Sequence, residues 1–323
     1  MSRRRPSHFN GLLPVYKKAG PTSHDVVDMA RKALGERRIG HTGTLDPLAE
    51  GLLLLCVGQA TRLQQFLLKW DKRYQGEIRL GHATTTYDSE GEATGPRGEP
   101  PALNEDVIAR LTAQFSGEID QVPPPYSAKK VHGKKLYELA RNGEEIHIEP
   151  RTVRVEEISM QAKTPDVLAV DATTSTGFYV RSLAHDVGIE LGCGGYLQHL
   201  HRASIGPYTA AKAFTQDALE AAETPEDVIG SSAWVPIESI SLPFAEIDLN
   251  SAAAERFVNG QEIIVFNPGQ TEVENGANVV IRSADKRLLG IGTVRAVLAR
   301  GRTLNIAPEM VFGASTGSRS RRK

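Results

Sequence analysis

The sequence predicts an α+β protein with a small β-domain at its carboxyl end. Three observations lead there. Helical and strand periodicities alternate through the first two thirds of the chain; residues 243–312 hold only short β-runs separated by Gly, Asn and Pro; and the composition is that of an ordinary globular protein. At 323 residues, 40% hydrophobic and 24% charged, the chain is long enough to bury a real core.

No apolar run reaches the length of a membrane span, LLLLCV being far too short, and the basic start MSRRRPSHFNG has no apolar stretch of the signal-peptide kind. A cytoplasmic location without membrane contact is therefore expected. Cys56 and Cys193 give neither a disulfide framework nor a zinc spacing and read as buried thiols.

Taken in order, residues 1–10 form a disordered basic head, and LLPVYKKAG reads as a strand and loop. Ser23 is the expected N-cap of a helix with Val26, Val27, Ala30 and Leu34 at helical spacing, closed by Gly35. A glycine-rich loop spans 40–51, followed by a buried strand from Leu52 to Val57, a helix from about Gln59 to Lys69 and a strand through KRYQGEIRLG. Residues 89–101 are loop, and an amphipathic helix begins at Asn104. RTVRVEEISM and DVLAVDATTS alternate like antiparallel strands, and FYVRSLAHDVGIELG is helical to its terminal glycine. The acidic 217–238 stretch, leading to Pro236 and Pro243, marks a boundary between a domain over 11–240 and the β-domain over 243–312; a disordered basic tail covers 313–323.

The net charge of −1 conceals a strong asymmetry. Residues 1–38 carry nine Lys/Arg against three acids, 129–141 five against one, and 217–238 six acids with no base. Basic segments of this kind suit a polyanion partner.

The sharpest local signal is GHTGTLDPLAEG, Gly40 to Gly51. Pro47 biases Asp46 to extended backbone, the glycines allow close approach, and the Thr42 and Thr44 hydroxyls are expected to fasten the loop to its backbone. The result is one carboxylate held at the start of an apolar strand.

Together with KKAGPTSHDVV, KRYQGEIRLG, TTTYDSEG, PPPYSAKKVHGKKLYELAR and GFYVRSLAHDVG, in this order over roughly residues 11–210, the loop resembles the TruB family of tRNA pseudouridine-55 synthases. The resemblance implies a pseudouridine-synthase-like catalytic domain with a mixed or antiparallel sheet and a PUA-like carboxyl domain. It implies an isomerase that turns a uridine of the tRNA T-arm loop, position 55, into pseudouridine. No metal, cofactor or protein partner is needed, and the chain is expected to act as a monomer.

The resemblance makes Asp46 the catalytic aspartate, either attacking C1′ or removing a sugar proton to give a glycal. Arg181 matches its ion-pair partner, expected to keep it ionised, and Tyr74 the tyrosine against the flipped base. His41 matches the residue that fills the gap left by that base. Tyr179 and Leu200 match pocket walls, and Asp88 the polar rim. Arg62, Lys17 and the lysines from Lys129 onward are candidate phosphate contacts. Residues 122–150 resemble an RNA-gripping insertion.

Three positions depart from the family pattern: Lys18 where proline is usual, Arg62 where lysine is usual and His201 where arginine is usual. Two other readings stay open at this point. Glu50, four residues after Asp46, suggests a two-carboxylate N-glycosidase, and the basic segments with the β-domain suit an RNA-binding or RNA-folding protein, an activity that also fits beside catalysis.

Overall fold

The computed structural model describes residues 8–126, 130–131, 134–135, 148–266 and 272–312. Most of the basic head, the tail, and most of the 122–150 insertion including Lys129 lie outside these residues. The described residues divide into two compact units, one within 13–234 and one formed by 8–12 with those of 235–312.

The larger unit opens within strand β1 (Gly11–Lys17), from Leu13 onward, and continues with helix α1 (Ser23–Leu34). The N-cap of α1 is Thr22, one residue before the expected Ser23. Thr22 and Asp25 form a reciprocal capping box, the Thr22 hydroxyl accepting from the Asp25 amide at 3.1 Å and the Asp25 carboxylate from the Thr22 amide at 2.8 Å. Ser23 is used elsewhere, as shown below. Gly35 closes the helix in the left-handed conformation, as expected.

Strand β2 (Ile39–His41) pairs antiparallel with β3 (Glu50–Val57), which starts two residues earlier than expected and is almost wholly buried. The helix expected over 59–69 is instead a 3-10 helix, Gly58–Leu63, followed by a single α-turn, α2 (Gln64–Leu67). Here the Thr61 hydroxyl donates to the Gly58 carbonyl at 2.7 Å, a bond back along the chain that competes with regular helix.

Strand β4 (Lys72–Leu80) follows, then the short ladder of β5 (Ala83–Thr84) with β6 (Ala93–Thr94). Helix α3 (Glu105–Gln114) is capped by Asn104, whose side chain accepts from the Val107 amide at 2.9 Å. Next come β7 (Gly117–Gln121), the two-residue pair β8 (Lys130–Val131) and β9 (Lys134–Lys135), and the long antiparallel pair β10 (Arg151–Thr164) and β11 (Val167–Thr174). Helix α4 (Val180–Glu190), β12 (Gly195–Ile205), β13 (Tyr208–Thr209) and β14 (Phe214–Thr215) complete what the site needs.

The main sheet runs in the order β14-β1-β3-β12-β4-β11-β10-β7, and it is mixed: β12 lies parallel to β3 but antiparallel to β4. Alternation along β4 and β12 sends Lys72, Tyr74, Leu200 and Arg202 to one face and Gln75, Glu77, His199 and His201 to the other.

The second unit contains a five-stranded sheet ordered Ala245–Leu249, Asn278–Ser283, Leu288–Leu298, Thr303–Val311, Ile263–Phe266. The helix Ser251–Val258 presses Phe257 into a core with Ile247, Ile281, Leu304 and Ile306.

Candidate active site

The loop between β2 and β3 is pinned on both sides of Asp46. Just before it, the Leu45 carbonyl accepts from the Ser23 hydroxyl at 2.9 Å and the Leu45 amide donates to the same oxygen at 2.8 Å, which is why Ser23 is unavailable as a cap. Just after it, the Pro47 carbonyl accepts from the Gly20 amide at 2.8 Å and from Lys17 Nζ at 3.3 Å.

Lys17 is fully buried and donates also to the carbonyls of Ala49, at 2.6 Å, and Lys18, at 2.9 Å. It is a strut beneath the loop, so the expectation of a phosphate contact at Lys17 is corrected. Burial pulls its ammonium down to about 8, against the pull of Asp46. Nor do the threonine hydroxyls fasten the loop. Thr42 Oγ1 is buried without a hydrogen-bond partner among the described residues, and the exposed Thr44 contributes its carbonyl.

That carbonyl is held by Arg202, a residue the sequence reading did not single out. Its guanidinium, 1% exposed, donates to Leu52 O at 2.7 Å, Gly43 O at 2.9 Å and Thr44 O at 3.3 Å. Gly51 makes room for this: its φ is +104°, and a Cβ there would lie 2.4 Å from the Arg202 carbonyl oxygen.

Asp46 meets Arg181 at 2.9 Å, Oδ2 to Nε, an ion pair in which the N–H is not aligned as a hydrogen bond. Arg181, 7% exposed, is held from three further directions. Nη1 donates to Asp88 Oδ2 and to Thr86 O, each at 3.2 Å, and Nη2 to Tyr126 O at 2.9 Å. Burial pushes the Asp46 carboxyl above its ordinary 3.8. Arg181 opposes that push and the nearby Asp88 adds to it, so the arginine does not set the ionisation alone. About a third of the Asp46 side chain (34%) still faces the cavity, so solvent weakens the burial effect.

Asp88 itself is buried, not on a rim. It accepts from the Thr86 hydroxyl at 2.5 Å and the Glu90 amide at 3.1 Å, and it anchors Arg181 from below the pocket.

Arg181 lies in the first turn of α4, whose N-cap residue Tyr179 has no side-chain cap of its own. Gln121, buried at the end of β7, supplies one in both directions. Its amide donates to Tyr179 O at 3.0 Å and its oxygen accepts from Tyr179 N at 2.7 Å. The Ser182 hydroxyl donates to Val122 O at 2.7 Å.

These elements enclose a cavity of about 410 Å³, within the ordinary range for small-ligand sites. Asp46, Tyr74, Tyr179, Arg181 and Leu200 share its walls with Thr42, Gly43, Lys72, Arg151 and Arg202, and Asp46 is the one carboxylate among them. His41, Arg62, Asp88 and Lys17 are not in that lining. His41 sits half-buried at the start of the loop, Nδ1 accepting from the Gly43 amide at 3.3 Å, and burial holds its imidazole below the usual value. Arg62 closes the 3-10 helix, half-buried.

A second hollow of about 440 Å³ lies on the opposite face of the strands, over Gln75, Glu77, Asp171 and His201, but its Asp171 is committed to Arg73 at 2.8 Å. Glu50 is 3.9 Å from His201 Nδ1 and faces away from Asp46's cavity. Lys18 donates its backbone N–H, which proline would lack, to Gln216 Oε1 at 3.1 Å, and its ammonium pairs with Asp217 at 2.6 Å, so the departure there is locked by other means. Among the described residues no three His, Cys, Asp or Glu side chains are grouped to hold a metal, and no helix is long and apolar enough to cross a membrane.

Comparison with known proteins bears on this geometry. The TruB family pseudouridylate synthase N-terminal domain matches residues 31–180, and the tRNA pseudouridylate synthase B C-terminal domain matches 181–237. The chain is 40% identical over 293 residues to a tRNA pseudouridine synthase B of Burkholderia mallei (strain NCTC 10247), covering 90% of this chain and 94% of that one. It is 38% identical over 287 residues to a tRNA pseudouridine synthase B of Alkaliphilus oremlandii (strain OhILAs), covering 89% and 94%.

Two solved structures share the fold. One is titled as an H/ACA RNP bound to a substrate RNA containing 2'-deoxyuridine (TM-score 0.70, 22% identity, covering 94% of this chain and 85% of that one). The other is a Cbf5-Nop10-Gar1 complex (TM-score 0.70, 24% identity, covering 93% and 83%). With its relatives matched along nearly their whole length, the chain belongs to the TruB family of tRNA pseudouridine synthases, isomerases that convert uridine to pseudouridine.

Proposed function

We propose that this enzyme isomerises a single uridine in the T-arm loop of tRNA, position 55, with Asp46 as its one catalytic carboxylate. The observation that carries the reading is the cavity itself. It has room for a flipped base, one carboxylate in its wall, and an arginine at 2.9 Å from that carboxylate. The uridine swings out of the RNA loop at a cost of about a few kcal/mol. His41 takes the gap it leaves, while Tyr74, Tyr179 and Leu200 wall the base.

Asp46 attacks C1′ or removes a sugar proton, the C1′–N1 bond breaks, and the base turns and rejoins through C5; Tyr74 stands on the wall where the C5 proton must leave. A two-carboxylate hydrolase is disfavoured, because Glu50 does not reach the cavity. Arg62, Lys129 and the neighbouring lysines contact phosphates, and the carboxyl-terminal β-unit binds RNA in the PUA manner. We read the enzyme as a cytoplasmic monomer that needs no partner, and RNA-folding activity as a companion of the same grip.

The test is tritium release from unmodified tRNA carrying uridine labelled at C5. The protein releases about one label per tRNA, and Asp46→Asn falls below about one ten-thousandth of that rate while still binding tRNA. No release from a folded, tRNA-binding preparation overturns the reading.

A further inference from the structure

Arg202 and Lys72 differ from every other cation at the site. Both are buried, at 1% and 6% exposure, both line the cavity, and among the described residues neither has a carboxylate within 4 Å. Lys72 Nζ donates to Trp70 O at 2.7 Å and Leu68 O at 3.1 Å, which leaves one ammonium proton unassigned. Arg202 likewise donates only to carbonyls.

Gly43 lies against both: a Cβ on it would be 3.4 Å from Lys72 Cε and 3.6 Å from Arg202 Nη1. Beside it in the same wall, the hydroxyl of Thr42, 0% exposed, has no partner among the described residues. Asp71 and Asp46 act on Lys72 and Arg202 only from a distance, and folding two cations with no carboxylate in contact and an orphan hydroxyl into one wall is costly unless something negative appears there.

We propose that Lys72 and Arg202, with the Thr42 hydroxyl, stabilise the negative charge of the uracil ring once it has detached from the sugar. The inference rests on the function proposed above. When C1′–N1 breaks, its electron pair stays with the base and spreads over N1, O2 and O4. In the nucleophilic route a C1′–O bond to Asp46 forms; in the glycal route a C2′ proton moves to Asp46. Either way one unit of negative charge leaves Asp46 and enters the base. The uridine arrives neutral, so the two cations gain little from binding it and much from the ring once it is charged, which is the condition for accelerating the step. A phosphate would arrive already charged and would have to shed its water to reach groups this deep. Arg181 loses the charge of Asp46 in the same step but keeps that of Asp88.

The experiment is single-turnover tritium release, enzyme in excess over C5-labelled tRNA, for the unaltered protein, Lys72→Met, Lys72→Arg and Thr42→Val. The Kd for tRNA is measured separately in the Asp46→Asn background. The expected result is a rate about 100-fold lower for Lys72→Met with a Kd changed less than about threefold, and most of the rate restored in Lys72→Arg. Thr42→Val keeps or raises the melting temperature, since it removes an unpaired buried hydroxyl, yet lowers the rate by about tenfold. It carries the test if Lys72→Met does not fold.

A Kd that weakens as much as the rate falls, with a salt slope reduced by about one, overturns the proposal in favour of a phosphate contact. Rates within about threefold of the unaltered protein for both variants overturn it outright. No release from any form, the unaltered protein included, sinks the underlying function instead.

Discussion

Arg181 and Arg202 are buried to nearly the same depth in the walls of one cavity, and they are satisfied in opposite ways. Arg181 is shared between two carboxylates, Asp46 and Asp88. Among the described residues Arg202 donates only to the carbonyls of Gly43, Thr44 and Leu52, and it acts on Asp46 only at longer range. The first holds the proposed reacting group and pairs with its charge; the second holds the loop and touches no carboxylate among the described residues. One residue type thus serves two purposes, and what it is paired with tells them apart.

The comparison breaks most readily on stability. Arg181→Met leaves Asp88 buried without its partner and is expected to cost about 3–5 kcal/mol in urea unfolding. Arg202→Met forfeits hydrogen bonds to neutral carbonyls but also removes a buried charge that has no carboxylate in contact among the described residues, so its cost is expected to be smaller, about 1–3 kcal/mol. The reverse order would show that carbonyls compensate Arg202 as fully as carboxylates do Arg181.

Gly51→Ala probes the Arg202 side without touching a charge. The left-handed φ and the 2.4 Å approach to backbone lead us to expect a loss of about 2–3 kcal/mol, read as a lower melting temperature.

The finest test concerns pH. In the proposed reaction Asp46 must be ionised, and burial with Asp88 lifts its carboxyl above 3.8 against Arg181. Activity is therefore lost as pH falls through that raised value. Asp88→Asn removes a charge that raises it, so the acid limb of the single-turnover rate is expected to move to lower pH. An unmoved limb would mean that burial and the cations Arg181, Lys17 and Arg202 fix the ionisation without Asp88.

The parts of the site that were legible in the sequence are those carried by contiguous motifs. Asp46 could be read from Asp-Pro among glycines, and Tyr74 and Arg181 from the resemblance of KRYQG and GFYVRS. The parts that escaped are contacts made across the chain to backbone. Arg202 reaches carbonyls about 150 residues away, and Gln121 caps a helix 58 residues on, pairings no local pattern encodes. One signal was present, however: Arg202 shares strand parity with the buried Leu200, and Lys72 with Tyr74, so each is a cation at an inward-facing position of a strand. Fold errors were local too. Thr22 displaced Ser23 because Ser23 was needed at Leu45, and the 59–69 helix gave way where Thr61 bonded back to Gly58.

The short run from Gln121 to Tyr126 carries a practical lesson for anyone trimming this enzyme to a minimal size. Its last five residues open the 122–150 segment, which the sequence assigns to RNA gripping, yet the run ties the first turn of α4 through Gln121, Val122 O and Tyr126 O. A deletion drawn at Val122 would remove no reacting group and would still unfasten the arginine that faces Asp46; to keep these ties, a cut must begin after Tyr126.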